Sequence, residues 1–169
     1  MMSGRLVQLG PLDRDHLDRT RSWSNDGELC RLLDRARPVS DGEHEEWFGA
    51  LQNRSDRVYF AIETLNERKH IGNVWLWDID PRHHKAEVRI MIGESKSAGH
   101  GLGTEAIELA CRYGFERLNL HRVFAYVLEI NPRARRAFEK AGFALEGTLR
   151  KDRWYEDRYI DVFVLGRLR

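Results

Sequence analysis

The sequence predicts an α/β (α+β) fold, a mixed and mostly antiparallel twisted sheet of about seven strands flanked by helices. Three observations carry that reading. Segments rich in Val, Ile, Tyr, Phe and Trp at 57–65, 69–80 and 85–92 follow one another across short polar links, as antiparallel neighbours do. A strong amphipathic stretch at 104–118 then stands between the strand 85–92 and another at 121–128, the order of a right-handed crossover unit. A short helix with both ends specified and two final strands complete the chain. Its 169 residues fit one domain, 1–169, and 41% hydrophobic with 33% charged residues excludes a disordered tail.

Each element has a local reason. Arg5 to Leu9 is a strand closed by Gly10-Pro11, and a polar helical stretch runs from Leu12 to about Trp23. Ser40 with Glu43 reads as a capping box for a helix near 41–52, whose Trp47, Phe48 and Leu51 share one face. Asn66-Glu67-Arg68 makes the link between 57–65 and 69–80 a hairpin, and the turn around Pro81 reverses the chain into Lys85–Ile92. In the helix Thr104–Leu118, Ala106, Ile107, Ala110, Cys111, Gly114, Phe115 and Leu118 recur at helical spacing. In His121–Leu128 both alternating sets are apolar, so both faces are expected to be buried. Asn131 as N-cap, Pro132 at the first position and Gly142 just past the end define a helix from Pro132 to Ala141. Phe143–Leu149 and Ile160–Leu168 read as strands around a polar connector.

Composition narrows the function classes. A formal charge of +1 gives no global attraction to nucleic acid or to a membrane surface, and no apolar run reaches the ~18–20 residues of a membrane span. The opening residues lack a signal-peptide pattern, so a cytoplasmic location is expected. Cys30 and Cys111 form no CxxC pair, and His83-His84 with Glu87 lacks HExxH spacing, so no metal is expected.

The most informative stretch is Gly99-His100-Gly101-Leu102-Gly103-Thr104, immediately before the strongest helix. Glycines at alternating positions let successive backbone N–H groups turn toward one point, and the helix N-terminus adds about half a positive charge there. The natural guest is a phosphate or pyrophosphate; the plain alternative is a flexible loop with a helix cap. A nucleoside-triphosphate loop would need GK[ST], and the lysine is absent. A dinucleotide fold would need GxGxxG straight after a first strand, whereas Thr104 holds the third glycine position and several antiparallel strands come first.

The ordered pieces AEVRIMIG, AGHGLGTEA, LNLHRV, NPRARRAFEKAGF and EGTLR, followed by Asp161-Val162-Phe163, resemble the GNAT acetyltransferase superfamily over nearly the whole chain. The branch they look like holds ribosomal-protein N-terminal and spermidine acetyltransferases. The resemblance implies a splayed central pair, Val88–Ile92 against His121–Leu128, and acetyl-CoA as cosubstrate. It implies that the backbone of Gly99, His100, Gly101, Leu102, Gly103 and Thr104 holds the pyrophosphate, and that Ile90, Met91 and Ile92 meet the pantetheine arm and thioester. It implies coenzyme contacts for Asn131, which is equally an N-cap, for Arg133 and Arg136, whose plain reading is a solvated face, and for Phe138. Glu87 matches an acid that some relatives use as base, although a strand ion pair with Arg89 explains it as well. The implied reaction is N-acetylation of a primary amine, a protein N-terminus or a small molecule, by direct attack, and the implied assembly is a homodimer.

Two departures qualify the match. Ala98 stands where the loop usually opens with Gln or Arg. Phe138 and Ala134 stand where relatives carry the Tyr or Ser that protonates the departing thiolate, leaving Tyr126 or a water for that role and keeping open a coenzyme-binding module without useful catalysis. On the opposite side, Trp23, Trp47, Trp75 and Trp77 are candidates to line the acceptor site or to fill the core, and Asp41, Glu43, Glu45 and Glu46 to attract a cationic amine or to favour a helix start.

Overall fold

A computed structural model describes residues 1–35, 37–51, 53–93 and 99–169. The elements run β1 (Met2–Ser3), β2 (Val7–Pro11), a 3-10 turn (Arg14–His16), α1 (Leu17–Ser24), α2 (Gly27–Leu32), α3 (Asp41–Leu51), β3 (Arg57–Thr64), β4 (His70–Asp80), β5 (Lys85–Ile92), α4 (Leu102–Arg117), β6 (Arg122–Leu128), α5 (Pro132–Lys140), β7 (Ala144–Tyr155) and β8 (Arg158–Leu168). They form one sheet in the order β1-β2-β3-β4-β5-β6-β8-β7. Every neighbouring pair is antiparallel except β5 and β6.

The parallel pair is where the sheet opens. β5 and β6 pair only at Lys85 with Arg122, Ala86 with Val123 and Glu87 with Phe124. β5 continues on β4 as far as Ile92, and β6 continues on β8 as far as Leu128, so beyond Glu87 the two strands follow different neighbours and leave a gap. The expected splay is therefore present.

The two sheet faces are covered differently. On one, Val74, Leu76, Val88, Val123, Ala125 and Val127 meet Ala106, Ile107, Ala110 and Cys111 of α4 and Phe138 of α5 in the main core. On the other, Leu17 and Phe48 cover Ala61, and Trp23 lies with Trp75 and Met91. Gly93 fixes the height of α1 over the end of β5, because a Cβ there would fall 2.0 Å from the Trp23 ring. The capping box of α3 forms as predicted: the Glu43 N–H donates to Ser40 Oγ (3.2 Å), and the Ser40 N–H donates to Glu43 Oε2 (3.0 Å).

Two expectations need correction. β6 is not buried on both faces: Val123, Ala125 and Val127 are, but Tyr126 on the opposite side is 48% exposed, because α1–α3 cover β3, β4 and β5 and stop short of β6. The segment 150–160 is not a loop connector but the outer half of a long hairpin, with Trp154 opposite Tyr159 and Tyr155 opposite Arg158 around a tight turn. The edge-to-face ring pair of Trp154 and Tyr159 (4.9 Å) rewards strand pairing in a stretch whose charges suggested a loop. The hairpin end reaches α2 and the turn after it, through Arg31 to Glu156 (3.4 Å), Arg153 to Asp34 (3.0 Å) and the Arg31 guanidinium over the Tyr155 ring.

Candidate active site

The gap in the sheet is bordered by the N-terminus of α4. Gly99 and Gly101 have φ of +86° and +81°, a region that side chains with a Cβ enter at a cost, and Gly101 is the residue from which the helix starts. The first helical hydrogen bond runs from the Glu105 N–H to Gly101 O (3.0 Å), so the N–H groups of Leu102, Gly103 and Thr104 have no acceptor within the helix. They are held still from behind. The Glu105 carboxylate accepts the N–H groups of Arg5 (2.8 Å), Leu6 (2.7 Å) and Val7 (2.8 Å), tying the first turn of α4 to the start of β2. Burial pushes the Glu105 carboxyl up, but these three bonds outweigh it and hold it below the usual carboxylate range.

In front of this turn lies a cavity of about 540 Å³. Of the predicted coenzyme residues, Ile90, Met91, Ile92, Gly99, Gly101, Gly103, Thr104, Asn131, Arg133, Arg136 and Phe138 line it, whereas His100 and Leu102 do not. Ala98 lies outside the described residues. Asn131 caps α5 by accepting the Ala134 N–H on Oδ1 (3.1 Å), which leaves its amide nitrogen for another partner.

α5 sorts its cations by face. Arg133, Arg136 and Lys140 line the cavity, and among the described residues none of them has an ion-pair partner. Arg135, on another face, pairs with Glu139 (2.9 Å) and lies over the Phe163 ring. The opposite wall comes from residues that spacing alone did not single out: Asp26, Glu28, Leu29, Leu32 and Leu33 in and beside α2. The one available signal was Asp26 as a helix N-cap, which it is, accepting the Leu29 N–H at 2.9 Å.

A second cavity, of about 250 Å³, lies on the α1–α3 side of the sheet and shares Met91 with the first. Trp47 and Trp75 line it, with Tyr59 edge-on to Trp47 and stacked on Trp75 (5.3 Å, 10°). Trp23 instead tilts against the His70 ring, and Trp77 lies under the guanidinium groups of Arg57 (3.7 Å) and Arg89 (4.9 Å). Three of the four acids of α3 are already matched, Asp41 by Arg21, Glu43 by Arg37 and Glu45 by Arg14, whereas Glu46 is exposed with no ion pair among the described residues.

Neither predicted catalytic residue lines either cavity. Glu87 is buried beside the last β5–β6 pair and accepts two bonds from Arg89, both 2.8 Å. Tyr126 stands half-exposed beside Phe124. Phe138 is buried against Phe143 and has no proton to give. The Cys111 thiol is pushed up to about 12 by burial, so it offers no thiolate for a covalent acyl carrier.

Residues 6–144 match the family model described as the acetyltransferase (GNAT) domain. The chain belongs to the GNAT acetyltransferase family. This acetyltransferase is 30% identical to the spermidine N(1)-acetyltransferase of Escherichia coli (strain K12) over 167 residues, which cover 94% of this chain and 84% of that protein. It is 35% identical to the Vibrio cholerae enzyme of the same name over 156 residues, 92% of this chain and 89% of that one. Spermidine N-acetyltransferase from Vibrio cholerae, solved with CoA and spermine, superposes at a TM-score of 0.89 with 28% identity, covering 96% of this chain and 95% of that one. More distant is an α/β-tubulin N-acetyltransferase of Mus musculus, 26% identical over 155 residues, which cover 85% of this chain and 64% of that protein. This GNAT protein is thus an acetyl-CoA-dependent N-acetyltransferase, among relatives whose named acceptors differ.

Proposed function

We propose that the chain, acting as one unit over 1–169, acetylates a primary amine by direct attack of that amine on the thioester while both substrates are bound. The observation that carries this is that the two cavities share Met91, one edged by N–H groups with no acceptor in the helix and by cations with no ion-pair partner among the described residues, the other aromatic. Acetyl-CoA supplies the activated acetyl group. The N–H groups of Leu102, Gly103 and Thr104 hold its pyrophosphate, with Arg133 and Arg136 against the remaining phosphate charge. The Gly93 N–H donates to Ile71 O (2.9 Å), so by the alternation of an antiparallel ladder the N–H and C=O of Ile90 and Ile92 turn away from β4, into the gap. There they pair with the pantetheine arm and polarise the thioester carbonyl.

Proton handling is light. An α-amine near pKa 8 is partly free at neutral pH and needs little help, whereas an alkyl amine near 10 needs a base. Glu87 serves as that base only by loosening its grip on Arg89, and Tyr126 is the proton donor that remains near the open end of the sheet. Most of the rate then comes from positioning. The homodimer and the cytoplasmic location are part of the same proposal. Support for self-association is the dodecameric structure of the Vibrio cholerae relative.

The alternative, a coenzyme-binding module without useful turnover, is favoured by one observation, the inert Phe138 and Ala134. Release of free CoA thiol over a panel of polyamines, amino sugars, amino acids and N-terminal peptides separates the two. Release with any acceptor supports catalysis; saturable acetyl-CoA binding with no release from the whole panel rejects it.

A further inference from the structure

The wall of the smaller cavity is almost entirely satisfied within itself. Thr20 Oγ donates to His16 O and accepts from Asn73 Nδ2, Ser24 Oγ donates to Thr20 O, and Asn73 Oδ1 meets the His70 ring. Two atoms break the pattern: Trp75 Nε1 and His44 Nε2 are buried without a hydrogen-bond partner, on residues 8% and 5% exposed that both line the cavity. Buried donors without partners are rare and costly, and an indole N–H can only donate. The rim adds the Arg35 guanidinium, and among the described residues it has no carboxylate partner and no Asp or Glu lines the cavity. Burial, with Arg21 and Arg35 nearby, holds His44 below its usual pKa and therefore neutral.

That chemistry asks for an oxygen, not for a second cation. Aromatic rings suit an apolar group, Trp75 Nε1 and Arg35 suit a carbonyl or carboxylate, and no described lining residue carries the charge that a row of ammonium groups needs. Geometry adds the spacing. Trp75 pairs with Arg89, and Asn73 with Met91, so Trp75 and Met91 are diagonal neighbours on one sheet face. A group held by Trp75 therefore lies on the same sheet face as Met91, the residue shared with the coenzyme cavity.

We propose that this cavity is the acceptor subsite and that it selects an α-amino carbonyl compound with an apolar side chain, a free amino acid or a peptide N-terminus, over a polyamine. The assignment rests on the acetyl transfer proposed above. Its test is CoA thiol release with phenylalanine, a phenylalanine-headed tripeptide, 2-phenylethylamine and spermidine. One of the first two is expected to exceed both of the others in kcat/KM by about tenfold, a step worth one hydrogen bond to a buried donor; whichever it is identifies the source. Trp75→Phe keeps an aromatic side chain but removes the pyrrole half of the indole together with its N–H. It is expected to raise KM for that acceptor about tenfold more than KM for 2-phenylethylamine, which reads the change in packing alone, with the KM for acetyl-CoA unchanged. Arg35→Gln, at the rim, covers the case in which Trp75→Phe fails to fold, and is expected to weaken the free amino acid more than the tripeptide. Spermidine as the best acceptor, or equal losses for all four amines in the variants, would overturn the inference and leave acetyl transfer standing. No thiol release with any amine, acetyl-CoA being bound, would overturn both.

Discussion

The two cavities that share Met91 are built by different means. The phosphate end of the larger is a feature of one connection and two helices: a loop whose Gly99 and Gly101 take positive φ, the open first turn of α4, and one face of α5. Its chemistry is mostly backbone and long flexible cations, and tolerates many side chains around it. The smaller is assembled from α1, the stretch between α2 and α3, α3, β3, β4 and β5, with each element giving a few side chains. Its character depends on which ring or nitrogen each contributes. A family can therefore keep the first while the second drifts, as the different acceptors named for the relatives illustrate.

The contrast can be broken at the backbone. Gly101→Val places a branched side chain at φ +81°, so the loop must distort. Acetyl-CoA affinity is expected to fall about 100-fold or more, and Tm by roughly a few degrees, because the strain applies even though, among the described residues, a Cβ at Gly101 meets only Leu6. Unchanged affinity by calorimetry would separate the loop from the phosphates. A smaller effect is expected from the cations. Arg136→Ala should weaken acetyl-CoA about tenfold, and less at high salt, because it removes one of several phosphate contacts. Arg135→Ala, on the paired face, serves as the comparison, and equal losses would mean that the sorting of α5 by face has no functional meaning.

The smallest effect concerns how the loop is supported. Glu105→Gln removes a charge that accepts three N–H groups and should cost about 1 kcal/mol after allowance for its partial exposure. The sign is fixed by the direction of the shift. A carboxyl held below its ordinary value contributes stability that is full above the unfolded value of about 4.3, and is lost as pH falls through the folded one. Thermal melts of the two proteins should differ at pH 7 and converge below about pH 4. A constant difference across that range would assign the effect to shape rather than charge.

The same contrast explains what was legible in the sequence. Spacing reads local structure, so the glycines before α4, the Asn131-Pro132 start of α5 and the boundaries of β5 could be read directly. The arginines of α5 could be placed in the region, but only the fold shows Arg136 turned to the cavity and Arg135 away from it. α2 was invisible because six residues carry too little periodicity, and its role as a cavity wall went with it. β6 misled because apolar alternation cannot say where a covering layer stops, and 150–160 misled because its charges hid the Trp154–Tyr159 pair. The smaller cavity had no motif to find, since Ser24, His44, Tyr59, Trp75 and Met91 become neighbours only when helices and strands close on one another.

Isothermal titration of acetyl-CoA into the unaltered protein, followed by a titration of the preferred amine into the CoA-saturated protein, tests most directly whether the two cavities act as one site. Saturable binding in both steps, with the amine step weakened about tenfold in Trp75→Phe and the CoA step retained, is the predicted result. No heat from acetyl-CoA at millimolar concentration, or an amine step indifferent to Trp75, would contradict it.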